Sequence, residues 1–147
     1  MIENHISQST FSHIPDTIKE RREFLYKRLN RYQGVSVYNN SLKANVKING
    51  KSIEETVFHA GKGLSSAKLA LNIIHIIRNA RRYGHKDGYP PHSNRQTEMK
   101  IERIFLFKCA VKGIGTANLT IGRKRSGNYV EYCISDIKYA SPLGTTD

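Results

Sequence analysis

The chain has 147 residues, of which 38% are hydrophobic and 24% are charged; this composition predicts one globular domain over residues 1–147 and excludes a disordered chain. Lysine and arginine number 24 against 12 aspartates and glutamates, which gives a formal net charge of +12. A surface this basic attracts polyanions, and RNA or DNA is the partner we expect. The alternatives are a surplus of charge that serves solubility, or a ribosome-like or membrane-surface protein.

Targeting signals and membrane spans are not evident in the sequence. The run MIENHISQST lacks the apolar segment of a signal peptide, and no apolar stretch reaches the length of a membrane span. We therefore predict no membrane partner and a cytoplasmic protein, or one that is delivered into a target cell. Cys109 and Cys133 lie far apart without CxxC spacing, so we expect free thiols within strands, with a disulfide as the alternative.

The N-terminal part of the chain is predicted to be an arm followed by a basic helix. Residues 1–14 are polar with scattered apolar side chains, which favours a mobile arm. Pro15 and Asp16 then open a helix that Gly34 closes, so the predicted helix spans 15–34. Its basic side chains are candidates for phosphate contact, with a solvated helix face as the alternative. The four candidates are Arg21, Arg22, Lys27 and Arg28.

The middle of the chain is predicted to form a hairpin and two helices. Alternating apolar residues over 35–49, interrupted by a polar turn at 39–41, predict the hairpin. The motif SIEE at 52–55 has the spacing of a capping box and predicts a short helix beginning there. The GKG turn at 61–63 ends it. A second helix, apolar around most of its circumference, is predicted to run to about Tyr83 and to pack on a sheet.

The C-terminal part changes to strand periodicity. Residues 84–97 are rich in glycine, proline and polar residues and predict a long loop. A strand from about 98 to 111 and two more, separated by turns at 113–115 and 125–128, then predict an antiparallel meander. This order of elements predicts an α+β fold, in which N-terminal helices pack on a C-terminal antiparallel β-meander in two layers. The tail after Ser141 is predicted to be disordered.

The sequence contains no recognisable metal or cofactor motif. The GKG turn lacks the length of a phosphate-binding P-loop, and the histidines have no ligand partners at zinc spacing, so we predict no metal and no cofactor. The residue types instead suit metal-free cleavage of RNA. That reaction needs a base for the 2′-hydroxyl proton, an acid for the leaving 5′-oxygen, and cations on the phosphorane.

His59 is the preferred candidate for proton transfer, because it lies at the end of a predicted helix beside Lys62. A capping or surface histidine is the structural alternative. His75 falls on the polar stripe of the second helix and is assigned a structural role. His85, in the predicted loop, is assigned to solvent together with the remaining histidines.

The hairpin between the last two predicted strands supplies the other candidates. Arg123 precedes its turn and could stabilise phosphate charge, and Lys124 and Arg125 could contact nucleic acid. Thr120 and Tyr129 belong to the same hairpin and could position the phosphate. Solvated charges and ordinary strand-surface residues are the alternatives for this group.

Four stretches of the sequence resemble a known family. The run INGKSIEETVFHA at 48–60, followed by SSA at 65–67, is similar to a domain of the large polyvalent proteins of phages and conjugative elements. GTANLTI at 115–121 and YCISDIK at 132–138 resemble the closing strands of that domain. Such domains are grouped with the barnase–EndoU–colicin–RelE superfamily, in which N-terminal helices precede an antiparallel sheet. The resemblance covers about 46–138, which would be the nuclease-like core.

The resemblance implies a metal-independent ribonuclease, often a toxin or carried with mobile DNA, that cleaves RNA by 2′-hydroxyl transesterification. It also implies functional groups at His59 and in the hairpin from Arg123 to Tyr129. We therefore expect His59 to transfer the proton and Lys62 to stabilise the phosphate. The alternative function is a non-catalytic nucleic-acid-binding module of a phage or conjugative element. A toxin would add an acidic antitoxin or immunity protein as a partner.

Overall fold

The computed structural model describes residues 13–87 and 99–139. The tail after Ser141, most of the predicted arm and residues 88–97 of the predicted loop therefore lie outside the described residues. The helices are α1 (Ile18–Leu29), α2 (Gly50–Ala60), α3 (Leu64–Ala70) and α4 (Ile73–Asn79). The strands are β1 (Ser36–Asn39), β2 (Ala44–Lys47), β3 (Arg81–Asp87), β4 (Ile101–Val111), β5 (Gly115–Lys124) and β6 (Tyr129–Asp136).

The strands form one sheet in the order β1-β2-β6-β5-β4-β3. Strands β4, β5 and β6 are the predicted antiparallel meander, and β1 and β2 are the predicted hairpin. The hairpin joins the meander through a parallel pair in which Val46 lies opposite Tyr129, so the sheet is mixed. The predicted α+β fold is confirmed. Among the helices of the described ranges, none is long and apolar enough to cross a membrane.

Two groups of apolar side chains bury the faces of the sheet. Along β4, Phe105 and Phe107 belong to the main core, whereas Ile104 and Leu106 belong to a second, smaller cluster. Successive residues of a strand point to opposite faces, so the two clusters lie on opposite sides of the sheet. The main core includes these buried residues of α3, α4 and the turn between them: Leu69, Ala70, Leu71, Ile73, Ile76 and Ile77.

The predicted helix up to Tyr83 is wrong in two places. It breaks between Ala70 and Ile73 into α3 and α4, and α4 ends at Asn79. The buried Asn39 side chain causes the second difference, because its amide nitrogen donates to the carbonyl of Ile77 at 2.7 Å and to that of Ala80 at 3.0 Å. These bonds satisfy carbonyls at the helix end, where the chain turns to an extended conformation.

The residues after that turn form strand β3 instead of a helix end and a loop. Arg81–Asp87 pairs antiparallel with β4, so the predicted loop is wrong over 84–87.

The start of α2 also differs from the prediction. Asn49 is the N-cap, and its side-chain oxygen accepts from the Ser52 amide at 2.9 Å. The helix therefore begins two residues before the predicted motif, and Ser52 is its third residue.

Candidate functional site

The residues predicted for catalysis lie in two separate clusters. His59 and Lys62 are at the C-terminal end of α2, whereas Arg123 and Tyr129 are paired across β5 and β6. Within residues 13–87 and 99–139, no contact of His59 reaches that hairpin. Each cluster therefore has its own geometry and its own chemistry.

The first cluster surrounds the ring of Phe105 on β4. The guanidinium carbons of Arg82 and Arg123 lie 4.5 and 6.0 Å from the ring centroid. The rings of His85 and Tyr129 lie 6.5 and 6.1 Å from it, centroid to centroid. Phe105 itself is only 4% exposed, so its ring is the floor beneath these polar groups. We refer to these five residues as the Phe105 cluster.

Strand register explains how residues distant in sequence meet there. His85 lies directly opposite Phe105, and Arg82 lies opposite Phe107. In a regular strand, residues three apart point to opposite faces. The register shift between Arg82 and Gly84 inserts an extra residue, as a β-bulge does, and so places Arg82 and His85 on the same face. Strands β3, β5 and β6 thus bring the polar groups together around Phe105 on β4.

The Phe105 cluster combines cationic donors with an imidazole. Arg82 Nη2 lies 3.4 Å from Nδ1 of His85. Because a guanidinium has only donors, this contact is a hydrogen bond only in the form of the imidazole whose Nδ1 presents its lone pair. Arg123 Nη2 lies 3.3 Å from Glu102 Oε2, a pair exposed enough to add little to stability. The cluster can bind an anion and accept a proton.

The second cluster surrounds Phe58 near the end of α2. His59 Nε2 lies 2.9 Å from Glu55 Oε2, one helical turn earlier. The guanidinium carbon of Arg22 lies 4.3 Å from the Phe58 ring centroid, and Lys62 Nζ lies 5.3 Å from it. The ring is nevertheless 50% exposed. We refer to these five residues as the Phe58 cluster.

Arg21, predicted to contact nucleic acid, is a structural residue. It is 7% exposed, and its Nε donates to the carbonyl of Gly61 at 3.3 Å. Its two terminal nitrogens donate to the carbonyl of Asp16 at 3.1 Å. These bonds join α1 to the turn after α2, so this guanidinium is not available to a phosphate. The prediction failed because basic periodicity does not show which charged side chain faces inward.

The other predicted nucleic-acid contacts lie nearer to solvent. Lys27 and Arg125 are exposed, and Arg28 and Lys124 are half-buried. The guanidinium carbon of Arg28 lies 4.6 Å from the centroid of the Phe24 ring on α1. Arg22 belongs to the Phe58 cluster. These basic residues thus extend over α1 and the β5–β6 turn, where they are accessible to a polyanion.

Thr120 lies on the wrong face of the sheet to act with Tyr129. It is opposite Leu106, whereas its neighbour Ile121 is opposite Phe105. Its hydroxyl donates to the carbonyl of Cys133 at 3.3 Å. The predicted positioning role of Thr120 is therefore wrong, because adjacent strand residues point to opposite faces.

Both cysteines, Cys109 and Cys133, are free thiols as predicted.

A buried carboxyl group that the sequence did not single out lies under α2. Glu131 is 0% exposed, and its Oε2 accepts from the Thr56 hydroxyl at 2.6 Å. Thr56 also accepts from the amide of Ile134 at 3.1 Å. The other carboxyl oxygen, Oε1, has no partner among the described residues. Burial raises the pKa of Glu131 to about 8, and the negative charge of Glu55 acts in the same direction.

Neither protein-family models nor curated proteins nor solved structures gave a match to this chain. In the part of the chain that the structure describes, no three histidine, cysteine, aspartate or glutamate side chains are grouped so that they could hold a metal ion. Function is therefore inferred from what the two clusters contain. They offer guanidinium and ammonium cations, imidazoles, a phenol and aromatic rings.

Proposed function

We propose that this chain is an endoribonuclease that cleaves RNA by attack of a ribose 2′-hydroxyl on the adjacent phosphate, with the Phe105 cluster as its catalytic site. One observation carries the proposal: an imidazole, two guanidiniums and a phenol surround one ring on the sheet. These groups can supply the base, the acid and the cations that metal-free transesterification needs. The net charge of +12 supports a polyanionic substrate.

His85 is the general base of the proposed reaction. Nδ1 of His85 can accept from Arg82 only in the neutral imidazole, which is also the form that can take up a proton. When the scissile phosphate draws the Arg82 guanidinium towards itself, Nδ1 loses its donor. That nitrogen then takes the proton of the 2′-hydroxyl as the 2′-oxygen bonds to phosphorus.

Arg82 and Arg123 stabilise the charge that develops on the phosphorane. Both guanidiniums lie close to the Phe105 ring of β4, Arg82 on the neighbouring strand β3 and Arg123 on the neighbouring strand β5. Charge-assisted hydrogen bonds from arginine to phosphate oxygens are among the stronger ones in proteins. Tyr129 donates its phenolic proton to the 5′-oxygen as the bond from phosphorus to that oxygen breaks. Tyr129 then regains a proton from solvent, and His85 releases its extra proton to solvent. The products are a 2′,3′-cyclic phosphate and a 5′-hydroxyl.

The test of the proposal replaces His85, the proposed general base. His85→Ala should lower the turnover number on an RNA oligonucleotide by about 100-fold to 10,000-fold, the range that general-base catalysis supplies. The matched control is His13→Ala, because His13 is an exposed histidine outside both clusters. Cleavage by the wild type should persist in EDTA. Equal rates for the wild type and His85→Ala would contradict the proposal.

The second candidate function is nucleic-acid binding without cleavage, which the excess of basic side chains favours. In that case RNA should bind with a steep salt dependence, roughly one released counterion per phosphate contact, and should stay intact. A mobile-element or toxin origin with an acidic inhibitor is carried by the resemblance over 46–138 alone. An acidic protein that binds the Phe105 cluster and blocks cleavage would support it.

A further inference from the structure

The Phe58 cluster has features that the proposed cleavage reaction does not use. α2 buries Ile53, Val57 and Ala60 in the core, while Phe58 stands on its outer side and remains 50% exposed. Single exposed apolar residues are common on protein surfaces. This one differs because two cations and an imidazole ring lie against it.

The arginine of this cluster is held in place by the fold. Nε and Nη2 of Arg22 donate to the carbonyl of Phe58 at 3.2 and 2.9 Å, while its guanidinium lies over the ring of the same residue. The side chain reaches that carbonyl by crossing Gly61, where a Cβ atom would lie 2.5 Å from Arg22 Cγ. A glycine is therefore needed at this turn for the guanidinium and the ring to form one preformed surface.

We infer that the Phe58 cluster is a base-stacking subsite for single-stranded RNA, at which an unpaired base stacks on the ring and Arg22 and Lys62 hold a neighbouring phosphate. The inference rests on the proposed function and adds a subsite to it. An aromatic ring flanked by cations is the combination that binds single strands without sequence readout. The net charge of +12 complements the strand.

The subsite binds a nucleotide outside the scissile pair. The side chains of Arg22 and Lys62 contact the Phe58 ring on α2, whereas those of Arg82 and Arg123 contact the Phe105 ring on β4. Binding at Phe58 therefore adds to substrate affinity without touching the reacting atoms. Its loss should raise KM and leave the turnover number unchanged, whereas loss of His85 should lower the turnover number.

The experiment measures binding of the full chain to a fluorescent oligouridine by anisotropy. The probe carries 2′-O-methyl groups, so it cannot be cleaved, and a matched probe has abasic positions in place of the bases. Phe58→Ala should weaken binding of the base-containing probe by about tenfold to a hundredfold, the usual effect of losing one stacked base. It should leave binding of the abasic probe unchanged. Tyr38→Ala is the control, because Tyr38 is equally exposed at 50% but lies on β1.

Three results would overturn the subsite: equal binding by the wild type and Phe58→Ala, equal losses on both probes, or Phe58-dependent binding of polyglutamate in place of RNA. The last would identify an acidic protein as the occupant of this surface. Because the probe is inert, the result does not depend on cleavage. A wild type that shows Phe58-dependent binding but never cleaves RNA would refute the proposed function and leave the subsite standing.

Discussion

Replacing Glu131 by glutamine should remove the part of the loss of unfolding free energy with rising pH that comes from this carboxyl group. Burial holds the pKa of this carboxyl at about 8 in the folded protein, against an ordinary value of 4.5. The folded state therefore binds the proton more tightly than the unfolded state. The contribution to stability is fully present below about pH 4.5 and is lost as the pH rises through about 8.

The magnitude follows from the size of the shift. Each unit by which the folded and unfolded pKa values differ corresponds to about 1.4 kcal/mol. Between about pH 5 and pH 8 the wild type should lose on the order of 3 kcal/mol of unfolding free energy through this group. Glutamine keeps the oxygen that accepts from Thr56 at 2.6 Å and carries no ionisable proton.

Urea unfolding of the full chain at several pH values measures this effect directly. The difference in unfolding free energy between Glu131→Gln and the wild type cancels the other titrating groups. It should be near zero at about pH 5 and favour the variant by on the order of 3 kcal/mol at about pH 8. A difference that stays constant across this range would show that Glu131 is not held protonated by burial.

Two further substitutions test the fold and the face assignment. Asn39→Ala removes the donors to the carbonyls of Ile77 and Ala80, and should cost about 1–3 kcal/mol because buried acceptors lose their partners; urea unfolding measures it, and an unchanged midpoint would contradict the capping role. Thr120→Val should leave the cleavage rate unchanged, because its hydroxyl lies on the face away from the Phe105 cluster; a tenfold loss of rate without a loss of stability would show that Thr120 reaches the substrate.

Elements whose partners are close in sequence could be predicted from local pattern. The hairpin of β1 and β2 and the meander of β4 to β6 show alternating apolar residues between turn residues, and each strand pairs with the next one along the chain. Strand β3 could not be predicted in this way. Its partner β4 is separated from it by residues 88–100, and its own residues are mostly polar. Pairing with a distant strand overrides local preference.

The candidate site was predicted in part, for the same physical reason. Arg123 and Tyr129 were identified because they flank a turn within one hairpin. Arg82 and His85 were missed because they were assigned to a helix end and a loop, and only the bulged register of β3 brings them beside Phe105. The assignment of Thr120 could have been avoided. Thr120 and Arg123 are three residues apart in one predicted strand, and residues an odd number apart in a regular strand point to opposite faces.

The most direct test of the proposed function is the chemistry of the cut ends. The wild type would be incubated in EDTA with a DNA oligonucleotide that contains one ribonucleotide, and the products would be identified by mass spectrometry. Attack by the 2′-hydroxyl predicts a single cut after the ribonucleotide, with a 2′,3′-cyclic phosphate on one fragment and a 5′-hydroxyl on the other. An intact oligonucleotide, or ends that carry a 3′-hydroxyl and a 5′-phosphate, would contradict the catalytic role of the Phe105 cluster.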